Sequence, residues 1–317
     1  MSIKSIKKVM VTGGAGFIGS HVVDKLLQLG YRVVIVDNFS SGDRDNVNRA
    51  LPDASVYNMD IKEPSLENIF RLERPDLVCH LAAQISVQSS MNNPVKDANS
   101  NILGSINVMD NCVRYGVKKL IYSSSGGAIY GEPKYLPCDE YHPINPLSNY
   151  GVSKYAVEKY LHVYKENFNL NYTILRLSNV YGPRQDPYGE AGVAAIFSMG
   201  MIEDRELVIN GTGDQERDFL FIVDLVQAIV NALDRADGEI INLGNGIGYS
   251  INTVYSILKE HSGYVQNAKN GPAKPGEVFK IFLDVSKAQD VLEWKPMIPI
   301  ETGLKLTMDW FKNKSIS

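Results

Sequence analysis

Tyr150 and Lys154 stand four residues apart in Tyr150-Gly151-Val152-Ser153-Lys154, a spacing that puts both on one face of a helix. A phenol beside an ammonium is an acid–base pair: the positive charge stabilises phenolate and predicts a tyrosine pKa lowered toward the range of a general base. Alone, the pattern is common on protein surfaces. A second constellation gives it context. Gly13, Gly16 and Gly19 recur at every third position, directly after an apolar run (Val9 to Val11) and before an amphipathic stretch that reaches Gly30. Three such glycines can mark only a crowded turn. In this setting they predict strand, tight turn and helix, with a helix N-terminus whose N–H groups and dipole suit a pyrophosphate.

The elements that must position these groups follow in order. Arg32-Val33-Val34-Ile35-Val36 predicts a second buried strand ending in Asp37, 18 residues after Gly19. A carboxylate there can accept both ribose hydroxyls of an adenosine and would repel a 2′-phosphate, which favours NAD over NADP. Further strands are expected at 55–59, 76–81, 119–122 and 172–177. Helices are expected at 65–70, over a single span near 97–115, and at about 149–167. Strands that alternate with helices imply an α/β fold with a doubly wound parallel sheet and a ligand at the strands' carboxyl ends. Gly13–Gly19, Asp37, Asp60, Ala82-Ala83 and Ser123–Ser125 all fall at such ends.

Beyond Val180 the alternation breaks, and glycine, proline and tyrosine crowd residues 181–189. Shorter elements follow: a helix near 192–203, a strand at 207–209, another at 217–222 and a helix at 224–235. The expected organisation is a nucleotide-binding domain over 1–178, to which some later segments return, and a smaller mixed α/β substrate lobe over 179–317.

A formal net charge of −4 gives no nucleic-acid-binding surface and no polybasic membrane anchor. No apolar run approaches the ~20 residues of a membrane helix. The basic start, Met1 to Lys8, runs into the glycine loop and not into a secretory apolar core. Cys79, Cys112 and Cys138 are odd in number and lack metal-ligand spacing, so neither a disulfide framework nor a metal site is expected. Free thiols and the absence of a leader predict a cytoplasmic protein.

Together these motifs resemble the extended short-chain dehydrogenase/reductases. The match rests on Gly13-x-x-Gly16-x-x-Gly19, His80-Leu81-Ala82-Ala83, the serines before Gly126-Gly127-Ala128-Ile129-Tyr130-Gly131, and Tyr150-x-x-x-Lys154. Within that family the chain is most similar to UDP-glucose 4-epimerases and related nucleotide-sugar epimerases. The resemblance implies a Rossmann-type fold and bound NAD. Phe17, Ile18 and Asn38 would stand with the glycines and Asp37 around the cofactor. Asp60 and Ile61 would flank the adenine, Leu81, Ala82 and Ala83 would line the cofactor, and Asn101 and Ser123 would add polar contacts. Lys154 would hold the nicotinamide ribose while Tyr150 exchanges the proton of the sugar 4-hydroxyl. Ser125 would hydrogen-bond that oxygen; shifted by one in the Ser-Ser-Ser-Gly-Gly spacing, the same role falls to Ser124.

On the substrate side, the resemblance implies that Asn179 contacts the sugar diphosphate and Arg217 grips a phosphate with its fork of donors. Arg217 beside Asp218 also reads as a surface ion pair. Val208 and Asn210 fall where the uracil ring packs. Lys274-Pro275-Gly276-Glu277 stands where the family often has arginine before its Pro-Gly-acidic segment. Ile281 occupies the approximate place of the residue that gates the sugar pocket. The implied reaction interconverts UDP-glucose and UDP-galactose, or their N-acetyl forms, through a 4-keto sugar. A 4,6-dehydratase or UDP-glucuronate decarboxylase would carry Asp-Glu or Ser-Glu where this chain has Gly126-Gly127. A non-catalytic NAD(P)-sensing regulator would not need Tyr150 and Lys154. A homodimer is expected through the helices near 97–115 and 149–167, on apolar residues including Val157, Leu161 and Tyr164.

Overall fold

The computed structural model describes residues 8–48, 50, 52–188, 192–273 and 278–316. Seven strands form one wholly parallel sheet: β1 (Lys8–Thr12), β2 (Arg32–Asp37), β3 (Ala54–Asn58), β4 (Leu77–His80), β5 (Lys119–Ser125), β6 (Tyr172–Leu177) and β7 (Glu239–Leu243). Their spatial order is β7-β6-β5-β4-β1-β2-β3. Strands packed on both faces read as continuous apolar runs. In β1, Val9 and Val11 enter one buried cluster while Met10 enters the cluster on the opposite face. The chain reverses its direction of travel across the sheet between β1 and β4. That switch opens a crevice at the carboxyl ends, where ligands of such sheets bind.

Three helices matter for the site. The first, α1 (Phe17–Gln28), begins under the glycine loop. The span near 97–115 is not one uniform helix: Pro94–Ala98 leads through a wide π turn at Asn99–Leu103 into α2 (Gly104–Tyr115). The π turn faces Asn101 inward, where its amide meets four protein groups. Such turns often mark functional sites. Ser148 caps α3 (Asn149–Phe168) by accepting the Gly151 N–H at 3.1 Å, which places Tyr150 in the first turn.

One strand differs in extent from the sequence expectation, and a later one joins the main sheet. β5 runs on through Ser125, so the serines belong to the strand and not to a loop after it. β7, from beyond residue 178, returns to the edge of the main sheet beside β6. The remaining segments build a smaller sheet in which Glu216–Phe221 pairs with Asn179–Tyr181, Gly248–Ser250 and Lys280–Ile281. Val208–Asn210 pairs with Lys269–Gly271 in a separate ribbon. A last helix, α4 (Ile300–Ile316), packs back toward the crevice.

Among the described residues, no helix is long and apolar enough to cross a membrane, and no group of His, Cys, Asp or Glu is arranged to hold a metal. All three cysteines are free and buried.

Candidate active site

The crevice is a cleft of about 1480 Å³ whose walls include Gly13, Gly16, Phe17, Ile18 and Gly19. A Cβ on Gly19 would sit 2.0 Å from the Gly13 carbonyl oxygen, and Gly13 has φ +72° with the Ala82 backbone against it. Only glycine permits this approach of loop, helix and β4 end. Gly16 caps α1 without a side chain, and no acidic residue lies in the first turn, so the positive end of the helix dipole faces the cleft.

Asp37, at the tip of β2, also lines the cleft. Its carboxylate accepts the Ala15 N–H at 2.9 Å and the Phe39 N–H at 2.8 Å. Each oxygen keeps a lone pair for a ligand hydroxyl, and the carboxylate fixes the glycine loop to the strand end. Asn38 donates to Asp60 at 2.9 Å, and both line the cleft with Ile61. Across β1, His80 is buried and its ring nitrogens pair with the hydroxyls of Thr12 (2.7 Å) and Ser105 (2.9 Å). Burial and the charge of Lys154 press His80 down to about 3, so it is neutral. Leu81, Ala82, Ala83 and Ser123 complete this wall.

Asn101 is not in the wall. Its amide nitrogen donates to the Gln84 carbonyl (3.0 Å), Asp97 (3.1 Å) and Ser153 (3.1 Å), and its oxygen accepts the Gln84 N–H (2.8 Å). These bonds fix the side chain between the Gln84 segment and α3, and its neighbour Ser100 lines the cleft.

Lys154 is 3% exposed and donates to the Ser123 carbonyl at 2.8 Å. Its Nζ lies 5.9 Å from the centre of the Tyr150 ring and 4.9 Å from that of Tyr122. Burial lowers it to about 8, opposed by the carboxylates of Asp97 and Glu158. The tyrosine does not follow the sequence expectation. Burial raises the Tyr150 phenol to about 12; a hydrogen bond with Ser125 pulls it down, and Asp97 adds to the rise. The cost of desolvating a phenolate outweighs the neighbouring charge.

The two serines have separate surroundings. Ser125 stands beside the Tyr150 phenol and pulls its pKa down, whereas Ser124 is buried and donates to Glu158 at 2.6 Å. Beyond Ser125 the backbone turns into a short helix, Gly126–Ile129, that carries no acid or base.

On the lobe, Asn179 and Arg217 lie on paired strands, and Ile281 is the register partner of Arg217. Asp218 turns inward, accepting the N–H groups of Asn245, Gly246 and Leu283 at 2.6, 3.2 and 3.2 Å. Arg217 donates to the carbonyls of Glu216 (2.8 Å) and Phe279 (3.4 Å). Val208 is 47% exposed and Asn210 half-buried, both on the separate ribbon. Lys274 and Glu277 lie outside the described residues. Ile281 is buried among Ile129, Tyr130, Cys138 and Leu283.

Some cleft residues carried no signal in the sequence. Trp310, Phe311 and Lys314 of α4 line its far end, brought there from over 100 residues away. Arg184, in the left-handed region at φ +68°, donates to Asp24 at 2.6 Å through Nη2. Among the described residues its buried Nη1 has no hydrogen-bond partner, and the side chain lines the cleft beside the glycine loop. The glycine cradle, the helix end, the ribose-side carboxylate and this orphaned guanidinium donor fit a dinucleotide with its pyrophosphate.

Comparison with known proteins agrees with this geometry. The chain is 45% identical to a putative UDP-glucose 4-epimerase of Methanocaldococcus jannaschii, over 97% of this chain and 99% of the other. A crystal structure of UDP-glucose 4-epimerase with UDP-glucose from Thermotoga maritima superposes with a TM-score of 0.95 at 46% identity, covering 98% of this chain and all of that one. The UDP-glucose 4-epimerase of Thermus thermophilus in complex with NAD gives a TM-score of 0.92 at 38% identity, covering 96% and 99%. Residues 9–244, which hold the glycine loop, Asp37 and the Tyr150/Lys154 pair, match the NAD dependent epimerase/dehydratase family, and the chain belongs to it.

Proposed function

We propose that this enzyme interconverts UDP-glucose and UDP-galactose through a 4-keto sugar, with NAD as a resident cofactor. The observation that carries the reading is the Tyr150/Lys154 pair, its buried ammonium tied at 2.8 Å to the carbonyl of Ser123, which lines a cleft shaped for a dinucleotide. When bound, NAD supplies the oxidation and re-reduction at the sugar C4. Tyr150 takes the proton of the 4-hydroxyl and returns it, Ser125 orients the reacting oxygen, and Lys154 holds the nicotinamide ribose and offsets charge on the phenolate. Ser125 is preferred to Ser124 because the Ser124 hydroxyl is engaged with buried Glu158.

The lobe holds the other half of the substrate. Asn179 and Arg217 take the diphosphate, Val208 and Asn210 pack against the base, and Lys274 and Glu277 belong, by the resemblance alone, to the same substrate-binding set. The 4-keto sugar turns over on its diphosphate link and is reduced on its other face. Gly126 and Gly127 supply no acid–base pair for water elimination, which disfavours a dehydratase or decarboxylase. The close similarity over nearly full length to proteins named UDP-glucose 4-epimerase supports the same choice.

The test is incubation of the NAD-loaded protein with a panel of nucleotide sugars and chromatographic separation of the products. UDP-glucose and UDP-galactose are expected to equilibrate. Release of a 4-keto-6-deoxy sugar or of carbon dioxide would replace this reading by one of its rivals.

A further inference from the structure

One turn beyond Lys154, on the same face of α3, stands Glu158, only 2% exposed. Its Oε1 accepts the Ser124 hydroxyl at 2.6 Å and Arg176 Nε at 3.1 Å, and its Oε2 accepts Arg176 Nη2 at 2.7 Å. Ser124 and Arg176 are register partners on β5 and β6, so one carboxylate joins α3 to the two strands beneath it. Arg176 in turn donates to the Tyr130 hydroxyl at 3.0 Å and the Glu140 carbonyl at 3.2 Å.

We propose that Glu158 is a positioning residue for the Tyr150/Lys154 pair: it clamps the middle serine of β5 from below and sets a carboxylate one helical turn from Lys154. The clamp fixes the strand end on which Ser123 presents its carbonyl to Lys154 and Ser125 its hydroxyl to Tyr150. This inference rests on the reading of those two residues as the acid–base pair.

The charges around the lysine are few. Asp97 from the Pro94–Ala98 helix and Glu158 from α3 both favour its protonated form against burial. Tyr122 on β5 and Tyr150 on α3 offer ring faces, and His80 on β4 is neutral. Glu158 itself is faced by Arg176 and Ser124, with the Tyr122 and Tyr172 rings within range of its charge. A buried ion pair kept only for stability could be exchanged for apolar side chains at little cost. Such an exchange would not move the titration of a lysine one turn away.

The test uses full-length protein labelled with ¹⁵N at its lysine side chains, the Lys154 signal being identified by its loss in Lys154→Met. In Glu158→Gln the Lys154 titration midpoint should fall by about one pH unit, a loss of ammonium that approaches tenfold well above the midpoint. Glu158→Asp should restore it. If Glu158→Gln leaves Arg176 unpaired and fails to fold, Glu158→Leu/Arg176→Met replaces the pair by apolar groups. The same fall is expected there, because Glu158 and not Arg176 is the charge that bears on Lys154. Ser124→Ala keeps the charge and removes the clamp, so it should lower kcat with KM and the lysine midpoint unchanged.

An unmoved Lys154 midpoint in a folded variant lacking Glu158 overturns the electrostatic half, and a wild-type kcat in Ser124→Ala overturns the clamp. Failure of the unmodified protein to epimerise any nucleotide sugar would overturn the functional reading instead, while the titration still decides the role of Glu158.

Discussion

The Lys154 ammonium is held by the Ser123 carbonyl at 2.8 Å and reaches Tyr150 through the face of its ring, 5.9 Å from the centroid. The lysine is thereby tied to β5 through Ser123, a residue of the cleft wall, and Ser125 stands beside the tyrosine, pulling its pKa down. Burial holds the phenol up at about 12. The phenolate that accepts the sugar proton therefore requires added positive charge beside the ring, which Lys154 and the nicotinamide would supply. Tyr150→Phe removes the exchangeable proton and little else. It should keep the fold and NAD content while kcat falls ~10²–10⁴-fold. Near-normal turnover in the folded, NAD-loaded variant would remove Tyr150 from the mechanism.

Asp37→Ala has two consequences here, because the carboxylate both faces the cleft and tethers the N–H groups of Ala15 and Phe39. NAD binding should weaken, and the relative affinity for NADP should rise as the repulsion of a 2′-phosphate is lifted. Titration with each cofactor measures both. NADP bound to the unmodified protein as isolated would show that the carboxylate does not select.

The parallel sheet was legible because buried strands announce themselves: Val9 to Val11 and Arg32 to Val36 are runs that only two-sided burial explains. The glycine loop and Asp37 were legible because their chemistry depends on local spacing. The internal partners of Asn101 were not, since only the fold brings Gln84, Asp97 and Ser153 to its amide. Trp310 of the cleft and Glu158 beneath Lys154 depend on tertiary packing, which no local pattern encodes. The dimer residues failed for a related reason: Val157, Leu161 and Tyr164 lie in the core of the single chain, against β5 and α2.

His80 supplies a test of the core. Its folded pKa, about 3, lies below the ordinary 6.5, so the native state binds fewer protons than the unfolded chain between those values. Its contribution to stability is complete above pH 6.5 and is lost as pH falls toward 3, at about 1.4 kcal/mol per unit. Denaturant unfolding across this window should show a shallower acid slope for His80→Asn than for the unmodified protein. His21, lowered to about 4, adds to both curves and cancels in the difference. Equal slopes would mean that His80 is charged in the folded state.

The expected homodimer moves to other side chains on the same helices. Val152, Tyr160 and Val163 on α3 are 50%, 41% and 47% exposed, and Leu103 before α2 is 56% exposed. Two copies of this apolar face can close on each other in an isologous four-helix contact. Light scattering should give twice 35.2 kDa at micromolar concentration, and Val163→Glu together with Leu103→Lys should shift it to the monomer. A single-chain mass for the unmodified protein would overturn the proposal.

Substrate range turns on Ile281. Its backbone pairs with Arg217, and its side chain packs on Ile129, Tyr130, Cys138 and Leu283, near Gly127 and Asn179. A β-branched residue fixed by such neighbours cannot swing aside for an acetamido group. The margin is small, because contacts of methylene size discriminate by only ~1–3 kcal/mol. UDP-glucose and UDP-galactose should therefore be the better pair, with slower but measurable conversion of the N-acetyl sugars. Ile281→Ser should raise the relative N-acetyl rate. It should also lower stability by a few kcal/mol, since it opens a cavity in this cluster. Ile281→Tyr should abolish N-acetyl turnover if the ring is directed toward the sugar. The measurement is the ratio of kcat/KM for acetylated and non-acetylated substrates in folded variants. A ratio unmoved by both substitutions would show that the side chain serves only the packing of Tyr130 and Leu283.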